Sequence, residues 1–122
     1  MRVRAARGAI KVDQDAADVV LGATERLLGS LLERNGVLTE DLISILFTAT
    51  EDLRSVFPAE AARRMGLGVV PLLCAREIPV VGSMRGVVRI LVHFHSDQDL
   101  ASVEHVYLDG AEALRDDLEP GG

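Results

Sequence analysis

The chain has 122 residues, with 13 Lys+Arg against 19 Asp+Glu and a formal net charge of −6, a length that accommodates one domain and one core. With 48% hydrophobic and 26% charged residues the balance is globular rather than disordered, and 3% aromatic residues with an acidic surplus exclude base-stacking platforms and broad phosphate-binding faces, so no nucleic acid partner is expected. No apolar run approaches the ~20 residues that cross a bilayer, Arg2, Arg4 and Arg7 precede no signal-like segment, and the single Cys74 forms no internal disulfide; no membrane association and a cytoplasmic location are expected.

Residues 3–12 read as a strand, with Ala5, Arg7 and Ala9 on one parity, Ala6, Gly8 and Ile10 on the other, and Gly8 leaving room for a close neighbour or a bulge. Asp13 and Asp15 offer N-caps to a helix whose apolar stripe is Val20, Ala23, Leu27 and Leu31, ended by Asn35-Gly36. The β-branched and apolar content of residues 42–49 predicts a buried strand. A short helix follows, with Pro58 in its first turn, Glu60 near its positive end and Gly66 and Gly68 as stops. Residues 69–75 read as a strand in which Pro71 implies an edge or an early position, and Pro79, Gly82 and Gly86 punctuate a connection to a strand at 87–94. A short helix at 99–105 and a final strand from 106 to about 114 complete the pattern, and residues 116–122 read as a flexible tail. The order β, α, β, α, β, β, β predicts an α+β domain: a mixed sheet with helices on one face, whose uncovered face and edges call for oligomerisation.

Arg89 is the residue on which chemistry can be hung. It stands in Val87-Val88-Arg89-Ile90-Leu91-Val92, a permanent cation inside a run that otherwise reads as core, and a cation there needs an anion from the protein or from a ligand. Glu77, at the end of the preceding strand, is the acidic candidate. A purely structural Arg–Glu pair, or an arginine at a sheet edge with its head in water, accounts for the same pattern. Arg7 lies among Ala5, Ala6, Gly8 and Ala9, and Arg63 on the short helix; with Glu77 and the phenol of Tyr107 they suit a small polyanion carrying a hydroxyl. Twelve of the thirteen cations are Arg, a bias that genomic base composition explains as well as function does.

Other residues carry weaker signals. His93 and His95 share a strand parity but lack a third ligand at metal-site spacing, so no metal is expected. His105 reads as a surface residue. Cys74 lacks a partner base and reads as a buried thiol or a pocket-lining residue. The glycines match neither the dinucleotide nor the P-loop fingerprint, and no cofactor is indicated.

Taken in order, VRAARGA at 3–9, FTATEDL at 47–53, VFPA at 56–59 with Ala62-Arg63, VPLLCARE at 70–77, VRI at 88–90, HVYL at 105–108 and LRDDL at 114–118 resemble the AroH class of monofunctional chorismate mutases nearly end to end. The resemblance implies a homotrimer in which three mixed sheets form a pseudo-α/β barrel, with active sites at the clefts between subunits. It implies the Claisen rearrangement of chorismate to prephenate, on the route to phenylalanine and tyrosine, without cofactor or metal. It assigns Arg7 and Arg63 to substrate carboxylates, Arg89 to the breaking ether oxygen and a carboxylate, Glu77 to the ring hydroxyl and Tyr107 to a carboxylate. Leu73, Cys74, Ala75 and Arg76 would line the pocket with Glu77, and Phe57, Ala59 and Leu114 would supply apolar wall. Two positions depart from the family pattern: family members can carry a cation where Glu60 stands and a Thr where Leu73 stands. A trimeric imine or enamine deaminase, or a non-catalytic sensor of small acids or aromatic amino acids, are the competing readings.

Overall fold

Alternation along four strands decides the architecture of the computed structural model, which describes residues 1–115. In chain order the main elements are β1 (Arg2–Lys11), α1 (Ala17–Arg34), β2 (Leu42–Ala49), α2 (Ala59–Arg64), β3 (Leu72–Arg76), β4 (Val87–Ser96) and β5 (Val106–Leu108), with 3-10 turns at Thr39–Asp41, Leu100–Ser102 and Ala111–Arg115. The sheet order is β3-β2-β4-β1-β5; β4 runs antiparallel to both β1 and β2, while β2–β3 and β1–β5 are parallel. This is a mixed α+β domain, as the sequence implies.

One face of the sheet is closed by both helices. Ala6 and Ile10 of β1, Ile45 and Phe47 of β2, and Val88, Ile90, Val92 and Phe94 of β4 interlock with Val20, Leu27, Leu28 and Leu31 of α1 and Ala59 and Ala62 of α2. The α1 residues recur at spacings of three, four and seven, the stripe that a 3.6-residue period lays against a sheet. Among the described residues the opposite face is covered only at its β5 end, where Ala111 and Leu114 pack on Ala9, Val87 and Tyr107. Elsewhere it is open, and Leu73 is 61% exposed there.

Several local expectations are revised. The α1 N-cap is Ala16, without a side-chain capping bond, because the Asp15 carboxylate accepts the backbone N–H groups of Arg54 and Ser55 instead. Residues 42–49 are not buried on both faces: only Ile45 and Phe47 are fully enclosed, since the other parity meets the open face. β3 starts at Leu72 rather than 69 and occupies a sheet edge, where Pro71 leaves no central ladder short of a donor. The helix expected at 99–105 is only the turn Leu100–Ser102. The last strand stops at Leu108 rather than 114, because Asp109 and Gly110 both take positive φ (54° and 98°) and turn the chain into the 3-10 segment. The tail at 116–122 lies outside the described residues.

Gly8 holds the β1–β5 edge at close range. A Cβ there would lie 2.5 Å from the carbonyl oxygen of Val106 and 3.0 Å from Leu27 Cδ1, one obstacle being backbone and the other the helix core. Gly8→Ala is therefore expected to lower stability by ~1–3 kcal/mol, the usual range for overpacking, with the loss read as a lower urea midpoint at unchanged slope. An unchanged midpoint would show that β5 can shift away freely.

Candidate active site

The pairing register lines up residues that lie far apart in sequence. Thr48 is opposite Ala75 on one side and Arg89 on the other; Ala9 is opposite Arg89 and also Tyr107. The result is a transverse row across the face opposite the helices, Ala75–Thr48–Arg89–Ala9–Tyr107, covered at its Ala9–Tyr107 end by Ala111 and Leu114, with Arg7 two residues along β1. The small neighbours Thr48 and Ala9 leave lateral room for the long Arg89 side chain.

Glu77 follows β3 directly and is fixed at two points. Its backbone N–H donates to the Ala49 carbonyl at 2.9 Å, and its carboxylate oxygen Oε2 accepts the hydroxyl of Thr48. The other oxygen, Oε1, lies 3.1 Å from Arg89 Nε, with the Arg89 side chain 39% and the Glu77 side chain 20% exposed. The N–H of Nε is not aligned for a hydrogen bond, so the contact is an ion pair held by charge and proximity. The contact is made through Nε, and among the described residues the two terminal nitrogens of the guanidinium donate no hydrogen bond. The anion that the mid-strand arginine calls for is thus Glu77, and the pair faces the open side of the sheet rather than the core.

The remaining expected site residues are spread over several places. Tyr107 and Leu114 are buried together, and the Arg115 guanidinium sits 5.6 Å from the Tyr107 ring centroid. Phe57, Cys74, Ala75 and Arg76 line a cleft of about 710 Å³ at the β3 edge, along with Leu53, Arg54, Val56 and Pro58. Phe57 is 75% exposed, whereas Ala59 is buried in the main core beneath α2. Arg63 projects from α2, on the helical side of the sheet, and pairs with Glu60 at 3.1 Å. The sheet therefore separates Arg63 from Arg89 within one chain. Among the described residues no cluster of three or more His, Cys, Asp or Glu side chains could hold a metal ion, and no helix is long and apolar enough to cross a membrane. His93 instead lies 3.3 Å from the Ser44 hydroxyl.

Comparison with known proteins decides the family. Residues 3–118 match the model of chorismate mutase type I. The chain belongs to that family. It is 50% identical over 118 residues to chorismate mutase AroH of Thermus thermophilus, covering 96% of this chain and 97% of the relative, and 36% identical over 119 residues to chorismate mutase AroH of Bacillus subtilis strain 168, covering 97% and 94%. A solved chorismate mutase from Clostridium thermocellum superposes with a TM-score of 0.88 at 43% identity, covering 89% of this chain and 97% of that one.

Two polar residues of this chorismate mutase-like site were not legible as such. Thr48 sits in a strand that reads as apolar, and its hydroxyl donates to Glu77, which lies beyond the end of the neighbouring strand. His105 is half-buried rather than superficial: its Nδ1 accepts the backbone N–H of Arg7 at 3.1 Å. β5 pairs with β1 only from Gly8↔Val106 onward, so the imidazole extends the ladder by one residue and anchors the strand that carries Arg7. An acceptor at Nδ1 must be unprotonated, which places the ring proton on Nε2.

Burial lowers the His105 pKa from its ordinary 6.5, with Arg7 and Arg115 pushing the same way. The unfolded chain therefore takes up this proton at a higher pH than the folded one. The corresponding stability is complete well above pH 6.5 and falls as the pH drops through 6.5 toward the lower folded value. Asp109, held down by its hydrogen bond to Arg26, loses its contribution only below the ordinary carboxylate value of 3.8, in a separate range. His105→Asn, whose Oδ1 can take the same N–H without titrating, is expected to flatten the decline in urea midpoint between about pH 7.5 and about pH 5.5. Parallel curves for the two proteins would remove His105 as its source.

Proposed function

We propose that the protein converts chorismate to prephenate in a site completed by a second copy of the chain, and that it does so in the cytoplasm as a homotrimer of the pseudo-α/β-barrel type. The observation that carries the reading is the Arg89–Glu77 pair on the open face of a family member, with a guanidinium whose terminal nitrogens remain available. Chorismate is a dianion, and negative charge gathers on its ether oxygen as the C–O bond breaks. A fixed cation beside that oxygen binds the transition state more tightly than the substrate.

Each residue then has a task that follows from its chemistry. Arg89 meets the ether oxygen and one carboxylate through its terminal nitrogens, and Glu77 accepts the ring hydroxyl. Arg7 and Tyr107 engage carboxylate oxygens, with Leu114 as apolar support. Phe57, Arg63 and the segment 73–76 enclose the enolpyruvyl arm, so that it lies over the ring in a reactive geometry; this removes part of the entropic barrier. No proton has to move, so neither a general base nor a nucleophile is required. Leu73 offers only its backbone and Ala59 only its helix turn.

Arg63 and Arg89 lie on opposite sides of one sheet, and this supports a shared site: Arg63 of a second copy can approach the open face that its own chain keeps from it. Exposed Leu73 and Phe57 supply apolar area for such contact. Glu60 holds Arg63 in an exposed ion pair that a substrate carboxylate has to displace, a small cost for a solvent-screened contact.

Purified protein given chorismate without added metal is expected to yield prephenate, read as loss of the substrate's diene absorbance. Arg89→Ala and Arg63→Ala proteins, each inactive alone, are expected to regain turnover when unfolded and refolded together, because mixed assemblies contain some sites bearing neither change. Untouched chorismate would refute the activity, and failure of mixing to restore it would place the whole site in one chain.

A further inference from the structure

We infer that Thr48 is a positioning residue, which sets the Glu77 carboxylate so that Arg89 keeps its place against the substrate. The inference deepens the function proposed above and rests on its assignment of Glu77 and Arg89.

Glu77 lies just beyond the end of β3, where ladder pairing with β2 has ceased at Ala49↔Arg76. Its main chain is tied once more, through the bond to the Ala49 carbonyl, but that bond leaves the side-chain torsions free. Among the described residues two side chains hold the carboxylate: Thr48 donates to Oε2, and Arg89 Nε stands beside Oε1. The Arg89 contact is an ion pair without hydrogen-bond alignment and fixes distance more than direction. The Thr48 hydroxyl is a directional donor to a charged acceptor, on a strand paired on both sides, and it defines which oxygen faces Arg89.

The same threonine is also the direct cross-strand neighbour of Arg89, at Thr48↔Arg89. One short side chain therefore sets the carboxylate by hydrogen bonding and borders the guanidinium by register. Without its hydroxyl, Oε2 loses its donor, and the carboxylate is free to rotate and take a second contact from the terminal nitrogens of Arg89. Those are the nitrogens that a developing negative charge on the ether oxygen needs. The loss falls on the transition state more than on ground-state binding, since Arg7 and Tyr107 hold substrate carboxylates independently.

The test is a kinetic cycle on the full-length protein. Thr48→Val keeps the shape and removes the donor; it is expected to lower kcat by about ten- to hundredfold, the range for a lost hydrogen bond to a charged group, while KM changes far less. Thr48→Ser keeps the donor and is expected to restore most of kcat. In a Glu77→Ala background, where the carboxylate is gone, adding Thr48→Val is expected to cost almost nothing further. Thr48→Ala serves in place of Thr48→Val if the latter fails to fold, with far-UV circular dichroism and assembly size as the checks. Wild-type kcat in the folded Val or Ala protein, a Ser protein as impaired as Val, or a loss that multiplies fully with Glu77→Ala would each overturn the role of Thr48. A Glu77→Ala protein with wild-type kcat would overturn the assignment of Glu77 and the inference with it, a result distinct from a failure at Thr48 alone.

Discussion

A guanidinium standing in the middle of a sheet is stable only where something negative meets it, and the arrangement of this protein follows from how that requirement is met. Glu77, at the end of an edge strand, reaches across Thr48 to Arg89 and neutralises it in the resting state. The pair uses the side nitrogen of the guanidinium, and among the described residues the forked end donates no hydrogen bond. The structural ion pair that the sequence left open is present, and under the proposed function the same guanidinium also meets the substrate.

The topology makes this placement possible. Strand alternation sends Val88, Ile90 and Val92 into the helical core and Arg89 to the other side, so the charge is never enclosed by apolar side chains on all sides. The antiparallel β1–β4 and β2–β4 pairs set the small residues Ala9 and Thr48 beside it, and the parallel β5 strand brings in Tyr107. The chain carries a net charge of −6, so attraction of a dianion, as the proposed function requires, depends on a local concentration of positive charge; Arg7 and Arg89 share one face of the sheet, and Arg7 and Arg115 both act on His105. The cost of leaving a sheet face uncovered is the strongest physical reason for a second copy to close over it.

Much of this was legible in the sequence. The strand that carries Arg89, the helical stripe of α1 and the edge or early position implied by Pro71 each express one periodic or steric rule, and each holds in the structure. What failed depended on long-range partners. Asp15 has the right chemistry for an N-cap, but the loop at Arg54 and Ser55 offers its oxygens two backbone donors, and the helix starts without it. The strand expected to run on to about 114 stops at Leu108 for a local reason as well: Asp109-Gly110 is a turn signal followed by the poor strand formers Ala111, Glu112 and Ala113, and the bidentate contact from Arg26 stabilises the bend. His105 and Thr48 are ordinary residues by composition; their roles come from where the ladder of one strand ends and what lies opposite another, which a single chain of letters does not disclose.

The measurement that bears most directly on the account is kcat of the Arg89→Ala protein, with folding and assembly size confirmed to match the unaltered protein. If a preorganised cation at the ether oxygen supplies the main stabilisation, kcat falls by more than the ~10²- to 10³-fold that removal of one neutral donor costs elsewhere. A folded, assembled Arg89→Ala protein that rearranges chorismate at nearly the unaltered rate would contradict the account at its root.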